Sequence, residues 1–285
     1  MIIEISQIPV FSSALSEKEA SVLTQHLESG NVLYFPTLGF KLEHSQLLAS
    51  KACLGKGRKS MTYHSIDGSM KGIDLNNQYI ALFNNMMQRY MQFSKDLIEH
   101  LCPSYTPHLI TGRTSFRPME VKGRKLSYRK DDTRLHVDAF PSMPMGEKRI
   151  LRVFSNVNPH HQSRVWKLGE PFETVVSQFV QKLRKPWWGE FTLLQSLKLT
   201  KQKRSLYDHY MLQLHNQMKQ DLTYQANAKQ ETVSFPPGST WIVYSDVVSH
   251  AALEGAYLLE QSLYVPFHKM QEPALAPQSI LKDYI

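Results

Sequence analysis

The 285 residues are 42% hydrophobic and 11% aromatic, enough for a substantial core, and carry 33 Lys and Arg against 25 Asp and Glu, a formal charge of +8 with a pI near 9.3. Two cysteines, Cys53 and Cys102, imply no disulfide framework and fit a reducing compartment; no apolar run approaches the roughly 18 residues of a bilayer span, and Met1 to Ser6 lacks the basic and apolar regions of a secretory signal. The basic balance points to anionic partners, whether nucleic acid, an acidic lipid leaflet or phosphorylated sugars.

Residues 1–10 predict a short strand. Ser16 and Glu19 have the spacing of a capping box, opening a helix that stops at Ser29-Gly30. Asn31 to Pro36 predicts a buried strand ended by proline. A second helix is expected over 43–54, and an exposed loop over 55–74, which carries Gly55, Gly57, Gly68 and Gly72. The longest helix is expected over 75–102, where Tyr79, Phe83, Met86, Tyr90, Leu97 and Leu101 form one apolar stripe to pack outside a sheet.

From residue 108 strands and turns take over. The run 108–117 places Arg113, Ser115 and Arg117 on one side, because alternate residues of a strand share a face. A Lys- and Arg-rich stretch at 120–134 leads to a central strand at 134–139, then a Pro/Gly/Met loop at 141–147. The run 149–159 is a strong strand with Arg152, Phe154 and Asn156 on one face. Helices return over 170–230, one from Glu170 to Leu183 and one over 205–222. Strands resume at 231–235, 239–244 and 260–265, with Pro236-Pro-Gly238 as a turn, and the tail from Pro266 is irregular.

His136-Val137-Asp138 is the motif around which the rest is arranged. On a strand its imidazole and carboxylate project from one wall, supplying two ligands of the 2-His-1-carboxylate triad that holds non-haem Fe(II) and leaves positions open. The best third ligand is His250, which Ser245, Asp246 and Ser249 surround with polar groups able to orient its ring. Helices first, then strands with the H-x-D early and the second His late, predict an α+β chain on a double-stranded β-helix, or jelly-roll. The expected organisation is a single domain, 1–285. Its parts are a helix-rich N-terminal support (1–105), the jelly-roll core (106–169 and 231–265) and a helical insertion (170–230) between core strands.

The triad resembles that of Fe(II)/2-oxoglutarate dioxygenases, which need a cation for the far carboxylate of 2-oxoglutarate. Many use an Arg soon after the distal His. Here no Arg or Lys lies between His250 and Val265, and Gln261 stands in that place with neutral hydrogen bonds only. A branch of the superfamily uses a cation on the strand after H-x-D, which fits Arg152. Arg152 is therefore expected to hold the cosubstrate, with Gln261 assisting.

Longer strings carry a more specific resemblance. His136-Val-Asp-Ala-Phe-Pro-Ser142, Arg149-Ile-Leu-Arg-Val-Phe-Ser-Asn-Val-Asn-Pro159, Arg164-Val-Trp-Lys-Leu-Gly-Glu-Pro-Phe172, Gly112-Arg-Thr-Ser-Phe-Arg-Pro118 and Ser249-His-Ala251 resemble the bacterial 3-deoxy-D-manno-oct-2-ulosonic acid (Kdo) 3-hydroxylase family. The resemblance implies an Fe(II)-, 2-oxoglutarate- and O2-dependent oxygenase. It implies hydroxylation of carbon 3 of the Kdo sugar of Kdo-lipid A, a modification in lipopolysaccharide biosynthesis. It also implies a cytoplasmic enzyme peripheral to the inner membrane of a Gram-negative bacterium. Such a substrate is strongly anionic, and Arg113, Arg117, Lys125 and Arg129 lie in segments able to rim the barrel mouth and contact its carboxylate or phosphates.

Lys182-Leu-Arg-Lys-Pro-Trp-Trp188 combines cations for anionic headgroups with two tryptophans. It reads either as an interfacial anchor or as tryptophans packed on the barrel exterior. The competing functional reading is a non-catalytic jelly-roll that binds anionic glycan or lipid. Nucleic acid is not expected as a partner, since the basic residues form no recognised nucleic-acid motif.

Overall fold

The computed structural model describes residues 1–6, 15–43, 46, 51–74, 78–124 and 126–284. Its larger sheet has eight strands: β1 (Ile2–Glu4), β2 (Val32–Phe35), β3 (Met61–His64), β4 (Met70–Lys71), β5 (Ile110–Arg117), β6 (Lys148–Asn156), β9 (Thr240–Tyr244) and β11 (Leu258–Pro266), in the order β1-β2-β9-β6-β11-β5-β3-β4. All neighbours are antiparallel except β1 and β2. A smaller antiparallel sheet holds β7 (Arg164–Leu168), β8 (Glu231–Phe235) and β10 (His250–Glu254), with β7 in the middle. The two sheets close on each other through aromatic side chains. Phe235 stacks on Trp241 at 4.0 Å, and Trp166 meets Phe154 and Trp241 edge-on. This α+β jelly-roll is the architecture expected from the order of elements.

Helix α1 (Glu17–Glu28) begins where Ser16 accepts from Glu19 N–H while the Glu19 carboxylate accepts from Ser16 N–H. It packs on β2 and β9. Helix α2 (Ile80–Leu101) lies across the outer face of β5 and β11. Its stripe of Phe83, Met86, Tyr90, Leu97 and Leu101 is fully buried, and each such side chain contributes about 1.5–3 kcal/mol. The Tyr90 hydroxyl reaches the Val153 carbonyl at 3.2 Å, tying the helix to the middle of the sheet.

Between β7 and β8 lie α3 (Phe172–Phe179), α4 (Glu190–Ser196), α5 (Leu206–Gln220) and α6 (Leu222–Asn227). A second capping box, Ser205 with Asp208, starts α5. The Asp208 carboxylate also accepts from Met145 N–H at 2.6 Å and Gly146 N–H at 3.2 Å, pinning the loop after the H-x-D segment to this helix.

Three local expectations change. The stretch 55–74 contains the hairpin β3–β4, because Met61 and Tyr63 bury one face against α2 and pair with β5; Gly68 at φ +67° makes its turn. The central strand at 134–139 does not form a ladder: His136 makes a single bridge, to His250. The tail after Pro266 is short helical turns, including α7 (Pro277–Ile280), and Ile280 and Leu281 enter the core. Of the helix expected over 43–54, residues 44, 45 and 47–50 lie outside the described residues, and 51–54 form a turn that ends in a bridge from Leu54 to Ile73.

Candidate metal centre and its cavity

The H-x-D segment is tied to β10 by its backbone. His136 N–H donates to His250 O at 3.0 Å and His250 N–H to His136 O at 2.9 Å, while Asp138 N–H donates to Ser245 O at 2.8 Å. This pairing sets the rings of His136 and His250 4.6 Å apart. The ligand atoms of His136, Asp138 and His250 all lie within 4.8 Å of one another, the one such group among the described residues.

Both imidazoles are held in one tautomer. Nδ1 of His136 donates to Arg134 O and Nδ1 of His250 to Val248 O, each at 2.8 Å, so the two Nε2 lone pairs remain for a ligand. Burial pushes both imidazoles below their ordinary pKa, and for His136 the neighbouring His250, Lys219 and His215 add to it. They are neutral at pH 7. Burial pushes the Asp138 carboxyl up, but the charge of Arg152, with Nη2 at 2.8 Å from Oδ2, outweighs it and holds the group ionised. Two neutral imidazoles and one carboxylate, with acceptor atoms converging, form the donor set that suits Fe(II) with open positions for other ligands.

These atoms open into a cavity of about 330 Å³, at the low end of ligand-pocket sizes. Trp166 stacks on the His250 ring at 5.1 Å, and Phe154, Phe140, Pro141 and Leu258 add to the apolar part of the wall. The polar part is strongly cationic, with Arg113, Arg117, Arg129, Lys130, Arg152, Arg164 and Lys219 facing only Asp132, Asp138 and Glu260. Such an excess of positive charge draws in anions and holds them once water is displaced.

The chain matches the family model described as 3-deoxy-D-manno-oct-2-ulosonic acid (Kdo) hydroxylase over residues 11–285. It belongs to the Kdo hydroxylase family. Solved structures agree. The chain is 40% identical to the Kdo hydroxylase KdoO, a non-haem Fe(II) α-ketoglutarate-dependent dioxygenase, in complex with α-ketoglutarate and Fe(III). The match covers 99% of this chain and 95% of that one, with a TM-score of 0.93. The cobalt(II) complex of KdoO matches at 40% identity over 99% and 95% of the two chains, TM-score 0.94. The complex with succinate and Fe(III) matches at 39% over 99% and 94%, TM-score 0.93. No curated protein matches. Membership of this family of oxygenases sets aside the reading of a non-catalytic jelly-roll.

In this Kdo hydroxylase the sequence-predicted residues are distributed unequally. Arg113, Arg117, Arg129 and Arg152 all line the cavity with the three candidate ligands. Lys125 lies outside the described residues. Gln261 does not reach the cavity: its amide accepts from Thr114 Oγ1 at 2.6 Å and donates to Ser262 O at 2.8 Å. The register explains this. Glu260 pairs with Phe154 and Ser262 with Arg152, so the neighbouring Gln261, opposite Val153, points to the other face. Glu260 enters from β11, with Leu258 two residues before it on the same face. It is fully buried, accepts from Arg117 Nε and Nη2 at 2.9 and 2.6 Å, and is hydrogen-bonded by Arg152 Nη1.

Arg152 is therefore engaged by two carboxylates. Burial lowers its pKa, but Asp138 and Glu260 more than compensate and keep it charged. Arg164 is in the opposite situation. It is buried, donates from Nη1 to Gly255 O at 2.8 Å, and its Nε has no partner among the described residues. Burial, then the charges of Arg117 and Arg124, push its pKa down to about 9 against the opposing pull of Glu120 and Asp132. Sequence reasoning passed over Arg164, although Arg164, Trp166 and Leu168 alternate on one face of β7. It also passed over His215 and Lys219, four residues apart and hence on one side of α5.

The exposed surface carries one further feature. Trp188 is 96% exposed and Trp187 53%, and Leu193, Leu197 and Leu199 nearby are also exposed. The tryptophans do not pack in the core. Of the cations beside them, Lys182 pairs with Asp221 at 2.7 Å and Arg184 with both oxygens of Glu190. No helix among the described residues is long and apolar enough to cross a membrane.

Proposed function

We propose that this Fe(II)/2-oxoglutarate-dependent Kdo hydroxylase acts on carbon 3 of the Kdo sugar of a Kdo-lipid A, with His136, Asp138 and His250 as its iron ligands. The observation that carries the reading is the convergence of these three side chains at the inner end of a cavity whose wall is rich in arginine and lysine. When bound, the iron supplies the oxidising chemistry: O2 gives one oxygen atom to 2-oxoglutarate, which leaves as succinate and CO2, and the other to the sugar C–H as hydroxyl. The chain's own residues hold the reactants and exclude water.

Arg152 and Arg164 hold the far carboxylate of 2-oxoglutarate, Arg164 as the buried cation without a carboxylate and Arg152 as the guanidinium nearest the ligand Asp138. Arg113, Arg117 and Arg129 meet the carboxylate and phosphates of the substrate, where a planar fork of donors matches each anion. Phe140, Phe154 and Trp166 shield the metal from bulk water.

The same reading puts the enzyme at an anionic bilayer. Trp187, Trp188 and the exposed leucines of α4 and the turn after it lie among Lys185, Lys198, Lys201 and Lys203, a surface that attracts headgroups and inserts apolar side chains. This surface adjoins the cavity entrance, since Lys201 N–H donates to Ser142 O at 3.0 Å and Arg204 Nη2 to Pro141 O at 2.8 Å.

The test is turnover with Kdo-lipid A, Fe(II), ascorbate and 2-oxoglutarate. The expected result is equimolar succinate and a product one oxygen heavier in the Kdo unit. The His136→Ala, Asp138→Ala and His250→Ala variants release no succinate above background. Full activity in His250→Ala would refute the ligand set; hydroxylation of the lipid A acyl chain alone would refute the substrate position.

A further inference from the structure

His136 and Asp138 sit on an extended segment that, among the described residues, has a backbone neighbour along one edge only. In such a segment successive peptide groups point to opposite edges. His136 and Asp138 turn theirs to β10 and the residues before it. The groups of Leu135 and Val137 point the other way, into the helical insertion, where no strand among the described residues lies to receive them.

Side chains fill that place. The amide of Gln225, in α6, accepts from Leu135 N–H at 2.8 Å and donates from Nε2 to Leu135 O at 3.0 Å, the two bonds a neighbouring strand would make. Its Nε2 also donates to Met218 O at 2.8 Å, which anchors the amide to the end of α5. His215 Nδ1 donates to Val137 O at 2.8 Å, and the His215 ring stands edge-on to the His136 ring at 5.1 Å. Arg134 Nη1, just before the segment, donates to Lys219 O at 2.8 Å. The backbone of 134–137 thus has its outer edge set by α5 and α6.

That backbone decides where the ligands stand. The His136 ring hangs from Arg134 O through Nδ1, so a shift of residues 134–137 moves Nε2. We propose that Gln225 and His215 are positioning residues of the metal centre, acting as an edge strand built from side chains that holds 135–137 in register against β10. The inference rests on the ligand set above. It gives the insertion a role in preorganising the metal site.

Co(II), with its visible absorption, is the probe, titrated into metal-free full-length protein without substrate. Loss of a group that orients a metal ligand lowers metal affinity by about 10–100-fold. His215→Leu and Gln225→Leu are expected to weaken Co(II) binding to that degree and to shift its visible bands, with the far-ultraviolet circular dichroism unchanged. His215→Asn, whose amide N–H can stand where Nδ1 stands, is expected to recover most of the affinity. A merely structural role would lower the thermal midpoint and leave Co(II) affinity intact below it. Wild-type Co(II) affinity in the folded His215→Leu protein overturns the proposal, as does failure of His215→Asn to recover. If Gln225→Leu does not fold, the His215 pair of variants decides alone. His136→Ala is run alongside. Should it bind Co(II) as the wild type does, the ligand set falls; should it lose Co(II) while the Leu variants keep it, only the positioning role falls.

Discussion

Replacing Arg152 with alanine removes the charge shared by two carboxylates, the buried Glu260 and the largely buried Asp138. Glu260 keeps Arg117, at 2.9 and 2.6 Å, but Asp138 loses the guanidinium 2.8 Å from its Oδ2. Breaking one partner out of a buried ion pair costs about 3–5 kcal/mol, because the remaining charge is left desolvated. For a chain of this length each kcal/mol moves the thermal midpoint by about 2 °C, so the metal-free variant should melt about 6–10 °C below wild type. A divalent ion bound by His136, Asp138 and His250 supplies the missing positive charge from the other side of Asp138. The deficit should therefore shrink by about half or more when both proteins are loaded with Co(II), as a ligand that binds the native state adds its own stabilisation. Circular dichroism melts of wild type and Arg152→Ala, each with and without metal, read both numbers. Equal midpoints for the metal-free proteins, or a deficit that metal leaves unchanged, would show that Arg152 does not neutralise Asp138.

The same cluster sets a pH dependence through Glu260, whose carboxyl is pushed up by burial but held below its ordinary value by Arg117 and Arg152. A depressed folded pKa means that the ionised form stabilises the fold above about pH 4.5, and that this stability is lost as pH falls through the folded value. Glu260→Gln should thus be less stable than wild type at pH 7, the gap closing on acidification below 4.5 in parallel urea titrations; a pH-independent gap would refute it. Arg164→Ala should raise the 2-oxoglutarate concentration for half-maximal succinate release by at least about 30-fold, since a charge-assisted carboxylate contact is worth about 2–5 kcal/mol when its partner stays buried. Unchanged 2-oxoglutarate dependence in Arg164→Ala would leave Arg152 as the carrier of that role. Trp187→Ser with Trp188→Ser should cut sedimentation with phosphatidylglycerol vesicles by about tenfold and show stronger salt sensitivity in what remains, as loss of apolar insertion leaves charge alone. Equal vesicle binding would refute the anchor.

Much of this site was legible in the chain itself. The H-x-D spacing put His136 and Asp138 on one side, and His250, expected from its place late in the strand region, converges with them. Strand alternation placed Arg113 and Arg117 on one face of β5 and Arg152 with Phe154 on one face of β6, and all four line the cavity. The Ser16–Glu19 capping box and the stripe of α2 were equally readable. These are signals of a few residues, and the periods of strand and helix act over that range. What tertiary structure alone decided depends on pairing between distant segments. Whether Glu260 or Gln261 enters the cavity is set by the register of β11 on β6, and a shift of one residue exchanges the two faces. Arg152 and Arg164 look alike in sequence, yet among the described residues one is matched by two carboxylates and the other by none, because β11 pairs with β6 and carries Glu260 to Arg152, and the Asp138 side chain reaches the same guanidinium. The H-x-D segment reads as a strand but gains only a single bridge, and Leu135 N–H, Leu135 O and Val137 O on its outer edge are met by Gln225 and His215 from helices some 80 to 90 residues further on. Local pattern says which side chains share a face; the free energy of burying charge and satisfying peptide groups, summed over contacts far apart in the chain, decides which face meets the metal.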